Sequence, residues 1–237
     1  MTRGTALVRR PSARLAEGLV THIERTDVEV ERARRQHDAY RAALADAGWQ
    51  VHEVSPADHC PDSVFVEDTI VVYDDLAVIT RPGAPQRRPE TAGNEKAVRE
   101  AGLEVVRVAA PGTLDGGDVL QVGSTVYVGE GGRTNGGGIA QLDAHLATRG
   151  RTVLPVPLRD VLHLKSAVTA LPDGTLLALP DLSDPTGLRL TSVHRADASN
   201  AVVRERAAVG LAGMERHPAE TGSIRKREAL AREPRLA

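Results

Sequence analysis

A helix, a glycine and a short strand follow one another three times along this chain, about fifty residues apart. The helical patterns end at Gly48, Gly102 and Gly150, and an apolar strand pattern begins directly beyond each glycine. Glycine is favoured at the end of a helix because it adopts positive φ without steric cost. A period of this length is typical of repeat architectures. The recurrence predicts an α/β fold built from copies of one small unit.

The bounds of these elements are predicted from the spacing of the apolar residues. Recurrence with a period of about 3.6 residues indicates an amphipathic helix, and a short alternating or continuous apolar run indicates a strand. The predicted helices cover 30–47, 94–101 and 139–149, the strands after them cover 49–54, 103–109 and 152–157, and a further strand covers 6–9.

Two apolar runs joined by a turn follow each helix and strand, which indicates a hairpin. The turns lie at 74–75, 123–124 and 172–174. The repeating unit is therefore a hairpin, a helix and a strand. If such units are arranged around one centre, their hairpins converge, and a polar site there draws residues from every unit.

The pattern weakens from about residue 180. Residues 201–212 have a partly helical pattern, and 225–235 are rich in arginine and glutamate. This region is either a solvated tail or an incomplete last unit, and we predict an incomplete last unit.

The composition is that of a globular protein with a sizeable core. The 237 residues are 41% hydrophobic and 26% charged, and this length permits one large domain or two small ones. A net charge of −2 and an aromatic content of 2% give no support for nucleic-acid or membrane binding. The single cysteine, Cys60, excludes an internal disulfide and a multi-cysteine metal site. No signal-peptide core or transmembrane run is recognised, so a cytoplasmic location is expected.

Three carboxylates interrupt an apolar run that predicts a buried strand. They are Asp62, Glu67 and Asp68. A buried carboxylate needs a cationic partner or several hydrogen bonds, because an unpaired buried charge is very costly. The stretch is therefore either a strand end whose acids face solvent or an anionic pocket that binds a buried cation.

Four further polar residues indicate a binding site only when they are considered as a set. His163 lies between two leucines, Asp115 begins a glycine-rich break, and Arg87 and Arg133 adjoin loops. Singly, they are typical of a core histidine, a turn and solvated surface charges. As a set, they offer a histidine with a carboxylate to orient it and arginines that can hold an anion. With the acidic stretch, they predict a site for a small molecule that has a guanidinium and a carboxylate.

Six short motifs resemble, in order and spacing, those of the dimethylarginine dimethylaminohydrolase family in the guanidino-group-modifying superfamily. The resemblance covers about residues 5–180, whereas 181–237 diverge. It implies a five-bladed α/β propeller, the pentein fold, in one catalytic domain over 1–237, which agrees with the predicted repeat. The motifs are 28–37, 65–69, 79–85, 114–120, 133–135 and 163–166.

The resemblance also implies a role for each candidate residue. Asp115 would orient His163, which would protonate the leaving amine and then activate water. A cysteine thiolate would attack the guanidinium carbon, so that dimethylarginine yields a methylamine and citrulline without metal or organic cofactor. The guanidinium would be held by Asp62, Glu67 and Asp68, and the α-carboxylate by Arg87, Arg133 and the backbone near Leu15.

The cysteine is the point at which this chain departs from the pattern. The family nucleophile lies close to the C-terminus, and 223–230 resembles the segment that leads to it, but no cysteine stands near Arg232. Cys60 lies on the substrate-binding segment and is expected to be a buried structural thiol. Two functions remain open: hydrolysis of methylated arginines, or of another guanidine such as arginine, and binding of arginine-like ligands without turnover.

Overall fold

A partial unit opens the part of the chain that the computed structural model describes, which is residues 4–171 and 174–179 and the backbone of 193–195. Its two strands pair in parallel, and a long helix lies between them in the sequence. No third strand joins this sheet within the described residues. The elements are β1 (Thr5–Val8), α1 (Val30–Asp46) and β2 (Gln50–Glu53).

The second and third units are complete and share one topology. In each, an antiparallel hairpin is followed by a helix, and the strand after the helix pairs in parallel with the second hairpin strand. The second unit comprises β3 (Ile70–Tyr73), β4 (Leu76–Ile79), α2 (Thr91–Glu100) and β5 (Glu104–Arg107). The third comprises β6 (Val119–Val122), β7 (Thr125–Glu130), α3 (Gly136–Ala147) and β8 (Thr152–Pro157).

A fourth unit begins in the same way, with a hairpin whose second strand again has a parallel neighbour. The segments 201–212 and 225–235 lie outside the described residues. No helix in the described ranges is long and apolar enough to cross a membrane. The elements are α4 (Leu164–Ala167), β9 (Val168–Ala170), β10 (Leu176–Ala178) and β11 (Val193–Arg195).

Apolar side chains of the strands and helices join neighbouring units. Tyr73 and Val78 of the second unit share one buried cluster with Val126 and Leu142 of the third. Burial of a large apolar side chain stabilises the fold by about 1.5–3 kcal/mol. This shared core places the segments that lead into β3 and β6 side by side.

The predicted α/β class and the repeated unit are confirmed, with differences at the ends of elements. α3 begins at Gly136 rather than 139, because the side chain of Asn135 accepts a hydrogen bond from the Gly138 N–H and caps the helix. The prediction of a strand through the acidic stretch is wrong, since Val66–Thr69 forms a 3-10 turn. A strand would turn successive side chains to opposite faces, whereas this turn lets adjacent acids share one polar centre.

Candidate active site

A short helical turn leads into the hairpin of the second, third and fourth units, and these turns carry the polar cluster. They are Val66–Thr69 before β3, Gly116–Asp118 before β6, and α4 before β9. The first two are in contact, since the carbonyl oxygen of Glu67 lies against Gly116. Equivalent positions of successive units therefore meet at one buried centre.

His163 and Asp115 form a buried pair at this centre. His163 Nε2 lies 3.2 Å from Asp115 Oδ2, and the other carboxylate oxygen accepts a 2.8 Å hydrogen bond from the Gly83 N–H. Burial alone would lower the pKa of His163, but the charge of Asp68 and the hydrogen bond to Asp115 raise it to about 9. The imidazole is therefore a cation at neutral pH.

Asp68 faces two cations. Its Oδ2 accepts a 2.5 Å hydrogen bond from Arg87 Nη1, and its Oδ1 lies 3.9 Å from His163 Nδ1. Burial alone would raise the pKa of Asp68, but His163 and Arg87 lower it to about 2. Asp68 is therefore ionised at neutral pH and stabilises the imidazolium from the side opposite Asp115.

Gly117 makes this close arrangement possible. Its N–H donates a 3.0 Å hydrogen bond to Asp68 Oδ1. A Cβ atom at this position would lie 2.6 Å from both Asp68 Oδ1 and His163 Nδ1, which is closer than Cβ contacts in real proteins. The glycine-rich break in the sequence is therefore part of the polar centre, where backbone must approach two charged side chains.

Arg87 is surrounded by acceptors of the protein itself. Besides Asp68, it donates to the Glu90 carboxylate at 2.8 Å and to the carbonyl oxygens of Asp62 and Phe65 at 3.2 and 3.3 Å. Burial alone would lower the pKa of Arg87, but the charges of Asp68 and Glu90 raise it. In this arrangement Arg87 is the countercation of the acids, a role that the sequence did not indicate.

Asp62 is tied to the loop that follows β1. Its Oδ2 accepts a 3.0 Å hydrogen bond from the Leu19 N–H, and Gly18 lies against its other oxygen. Leu15, which the sequence resemblance singled out, lies in the 3-10 turn Leu15–Glu17 just before this contact. The backbone contact with the acidic stretch is thus made at Leu19.

Glu67 pairs with a cation that sequence reasoning missed. Lys165, two residues beyond the candidate histidine on α4, places its Nζ in contact with Glu67 Oε1. Burial raises the pKa of Glu67, and the charge of Lys165 opposes that rise. Because Lys165 lies only two residues from His163, the sequence could have indicated that both side chains belong to the same site.

Arg133 and Thr134 lie on the loop before α3. The backbone of Arg133 packs against Gly83, and its side chain is half-buried. Thr134 is fully buried; its hydroxyl donates to Asp118 Oδ2 at 2.6 Å and accepts from the Asp115 N–H at 3.1 Å. Thr134 therefore fixes the turn that carries Asp115 and leaves Arg133 at its edge.

A metal ion is one conceivable occupant of the centre, since ligand atoms of Asp68, Asp115 and His163 lie within 4.8 Å of one another. Each of these groups already faces a partner of the protein: Asp68 faces Arg87, and His163 faces Asp115. His163 would have to lose its proton to bind a metal, and its raised pKa of about 9 opposes that loss. The donor set therefore fits an internal ion-pair network better than a metal centre.

Cys60 is a buried, unpaired thiol two residues before Asp62. Its side chain is 2% exposed, and burial, reinforced by the negative charge of Glu90, raises the pKa of its thiol. A thiol is a poor nucleophile until it is deprotonated. The expectation that Cys60 is buried is confirmed, and its environment favours the neutral thiol.

Known proteins resemble this chain closely, although no model of a protein family matches it. It is 60% identical to N(G),N(G)-dimethylarginine dimethylaminohydrolase of Streptomyces coelicolor over 183 residues, which are 77% of this chain and 71% of the relative. With the protein of the same name from Pseudomonas aeruginosa it shares 40% identity over 174 residues, 73% of this chain and 68% of the relative.

Solved structures agree with the sequence comparison. A cysteine-to-serine variant of the Pseudomonas aeruginosa protein, complexed with citrulline, matches with a TM-score of 0.77 and 33% identity over 98% of this chain and 89% of the other. The N-terminal domain of a cyanobacterial arginine dihydrolase matches with a TM-score of 0.75 and 18% identity over 96% and 88%, which shows a shared fold. The fold and relatives define a class of hydrolases that act on guanidino groups. Within that class, the chain belongs to the dimethylarginine dimethylaminohydrolase family.

Proposed function

We propose that this protein binds methylated arginines and hydrolyses dimethylarginine to citrulline and a methylamine. The observation that carries the proposal is the buried imidazolium of His163, held between Asp115 and Asp68 in a cluster of acids. The names of the relatives and the citrulline complex of one of them support the same reaction.

The acids are proposed to hold the guanidinium of the substrate. Asp62 and Asp68 are almost fully buried, and Glu67 is partly accessible beside them. Buried carboxylates of this kind are stabilised by a cation with several N–H donors. A guanidinium has that shape and charge.

The α-carboxylate of the substrate is proposed to bind Arg133 and Arg87, with help from the backbone near Leu15. Arg133 is half-buried. Among the described residues, its side chain has no hydrogen-bond partner. Arg87 would have to exchange its contacts with the carbonyl oxygens of Asp62 and Phe65 for the ligand. The geometry therefore supports Arg133 more strongly.

His163 is proposed to act as general acid and then as general base. Its Nε2 is held by Asp115, which leaves Nδ1, on the Asp68 side, to exchange a proton with the substrate. Because its pKa is raised to about 9, the imidazolium can protonate a leaving amine at neutral pH. The neutral imidazole that results can then accept a proton from water.

The proposal has three forms, and the identity of the nucleophile separates the first two. The family mechanism uses a cysteine near the C-terminus, whereas the only cysteine of this sequence is the buried Cys60. This observation favours, as the second candidate, a protein of the same fold that binds arginine-like guanidines without turnover. The third form is hydrolysis of another guanidine, such as arginine, by this protein.

A citrulline assay with dimethylarginine, run beside calorimetric titration with L-arginine, tests these forms. Citrulline formation that persists in Cys60→Ala supports hydrolysis with Cys60 in a structural role. Binding without citrulline formation supports the binding protein. Turnover that is abolished by Cys60→Ala contradicts the structural role of the thiol.

The same proposal includes the finer fold and the setting. The repeated units support a five-bladed propeller in a single domain over 1–237. A cytoplasmic location is supported by a single unpaired cysteine, which needs no oxidising compartment. The proposed partner is a small molecule, with no metal or organic cofactor.

A further inference from the structure

The ion pair between Lys165 and Glu67 crosses the candidate site from one unit to another. Glu67 lies on the turn before β3, and Lys165 lies on α4 before β9. The two charges meet at Glu67 Oε1, on one of the acids proposed to hold the guanidinium. A cation of the protein therefore stands on a carboxylate that a cationic ligand would also use.

Lys165 differs from the other cations of the cluster in its accessibility. Its side chain is 27% exposed and that of Glu67 is 22% exposed, whereas Arg87 is 6% and His163 is 9% exposed. Arg87 is also fixed by several acceptors, but the described hydrogen bond of the Lys165 ammonium is a single contact with Glu67. A lysine ammonium is a point charge on a flexible stem, so it exchanges its partner more readily than an arginine.

We propose that Lys165 is a specificity-determining residue that competes with the guanidinium of a ligand for Glu67. In the ligand-free protein its ammonium neutralises Glu67, and a cationic ligand displaces it. This inference rests on the proposed function, because it assumes that guanidinium ligands use this carboxylate.

The competition depends on the charge of the ligand. A guanidinium carries a positive charge and can replace the ammonium as the partner of Glu67. The ureido group of citrulline is neutral, so it leaves Glu67 paired with Lys165. Lys165 therefore lowers the affinity for a cationic ligand, and its return to Glu67 favours release of a neutral product.

Calorimetric titration of the full chain with L-arginine and with L-citrulline tests the inference. Lys165→Gln should tighten arginine binding about two- to fivefold, the range expected for loss of a partly exposed ion pair, and should leave citrulline binding unchanged. Lys165→Arg, which keeps the charge, should bind arginine no more tightly than the wild type. Lys96→Gln removes an exposed charge on α2 and should leave both affinities unchanged.

The outcomes separate the inference from the proposed function. If the wild type binds neither ligand, both are wrong. If it binds, and Lys165→Gln leaves the ratio of the two affinities unchanged or weakens both ligands equally, Lys165 has a supporting role and only the present inference is wrong.

A measurement on the wild type removes any dependence on the folding of the variant. Lysine occurs in the sequence only at Lys96, Lys165 and Lys226, so NMR of lysine side chains labelled with ¹⁵N gives few signals. Arginine should shift the Lys165 signal and citrulline should not. A Lys165 signal that responds equally to both ligands contradicts the competition.

Discussion

Single residues in this protein matter through the charges that surround them. His163, Asp68 and Arg87 alternate in sign, so each charge is stabilised by the next one in the buried centre. Breaking one buried pair leaves the partner uncompensated, which costs more than the pair itself contributes. The pKa of His163 is therefore the most direct measure of whether the centre is assembled.

Asp115→Asn should lower the pKa of His163 from about 9, because the variant keeps a polar group near the ring but removes a negative charge. The measurement is an NMR titration of the imidazole C–H signals. Asp143→Asn, an exposed site on α3, is the control that should have no effect. An unchanged pKa of His163 in Asp115→Asn would contradict the pairing.

The same shift predicts how stability depends on pH. A raised histidine pKa contributes stability that is complete below the unfolded-state pKa of about 6.5 and is lost as pH rises through about 9. Urea unfolding should therefore show that the wild type loses more stability over this window than Asp115→Asn does.

At the scale of the elements, α3 shows how a cap can override poor helix propensity. Its first turn is Gly136–Gly138, and glycine is among the least favourable helix formers. Asn135 Oδ1 accepts hydrogen bonds from the N–H groups of Gly138 and Thr113, and its amide donates to the carbonyl oxygen of Pro111. The cap therefore joins the helix to the loop that leads to Asp115.

Asn135→Ala should lower the free energy of unfolding by about 1–2 kcal/mol, because it removes a cap and the loop contacts together. Asn135→Asp is the matched variant: it keeps the accepting oxygen and should retain most of the stability. Urea denaturation of both variants provides the measurement. Equal losses would show that the amide donor, rather than the cap, is decisive.

The success of sequence reasoning also varied by element. The units were predictable because their apolar periodicity and terminal glycines are local signals. The turn Val66–Thr69 was not, because apolar neighbours around two acids resemble a strand until the position of Lys165 and Arg87 is known. Asp62, Asp115 and His163 were singled out because they interrupt apolar or glycine-rich sequence, and their roles stay predictions, whereas the countercation role of Arg87 depends on the tertiary fold.

At the scale of the whole molecule, two arginines link different units in contrasting ways. Arg9, which follows β1, is 1% exposed and donates to the carbonyl oxygens of Ser55, Ser63 and Glu90 at 3.0–3.1 Å. Arg149, which follows α3, pairs with the exposed acids Asp75 and Glu104. Both connect units, but only Arg9 does so away from water.

Arg9→Met should lower the free energy of unfolding by about 3–5 kcal/mol, because it leaves several buried acceptors without a donor. Arg149→Met should cost less than about 1 kcal/mol, since exposed ion pairs contribute little. Thermal and urea unfolding of the two variants test the contrast. Similar losses would mean that the links between units do not depend on burial.

The turns that lead into the hairpins occupy the same position in successive units, and this has a consequence for protein engineering. Each turn supplies different side chains of the polar centre, and the strands that follow the three turns belong to separate sheets. A substitution on one turn, such as Lys165 on α4, therefore changes a charge that another turn faces but leaves the separate sheets behind the turns in place. The repeat therefore lets the proposed ligand selectivity of this centre be tested one turn at a time.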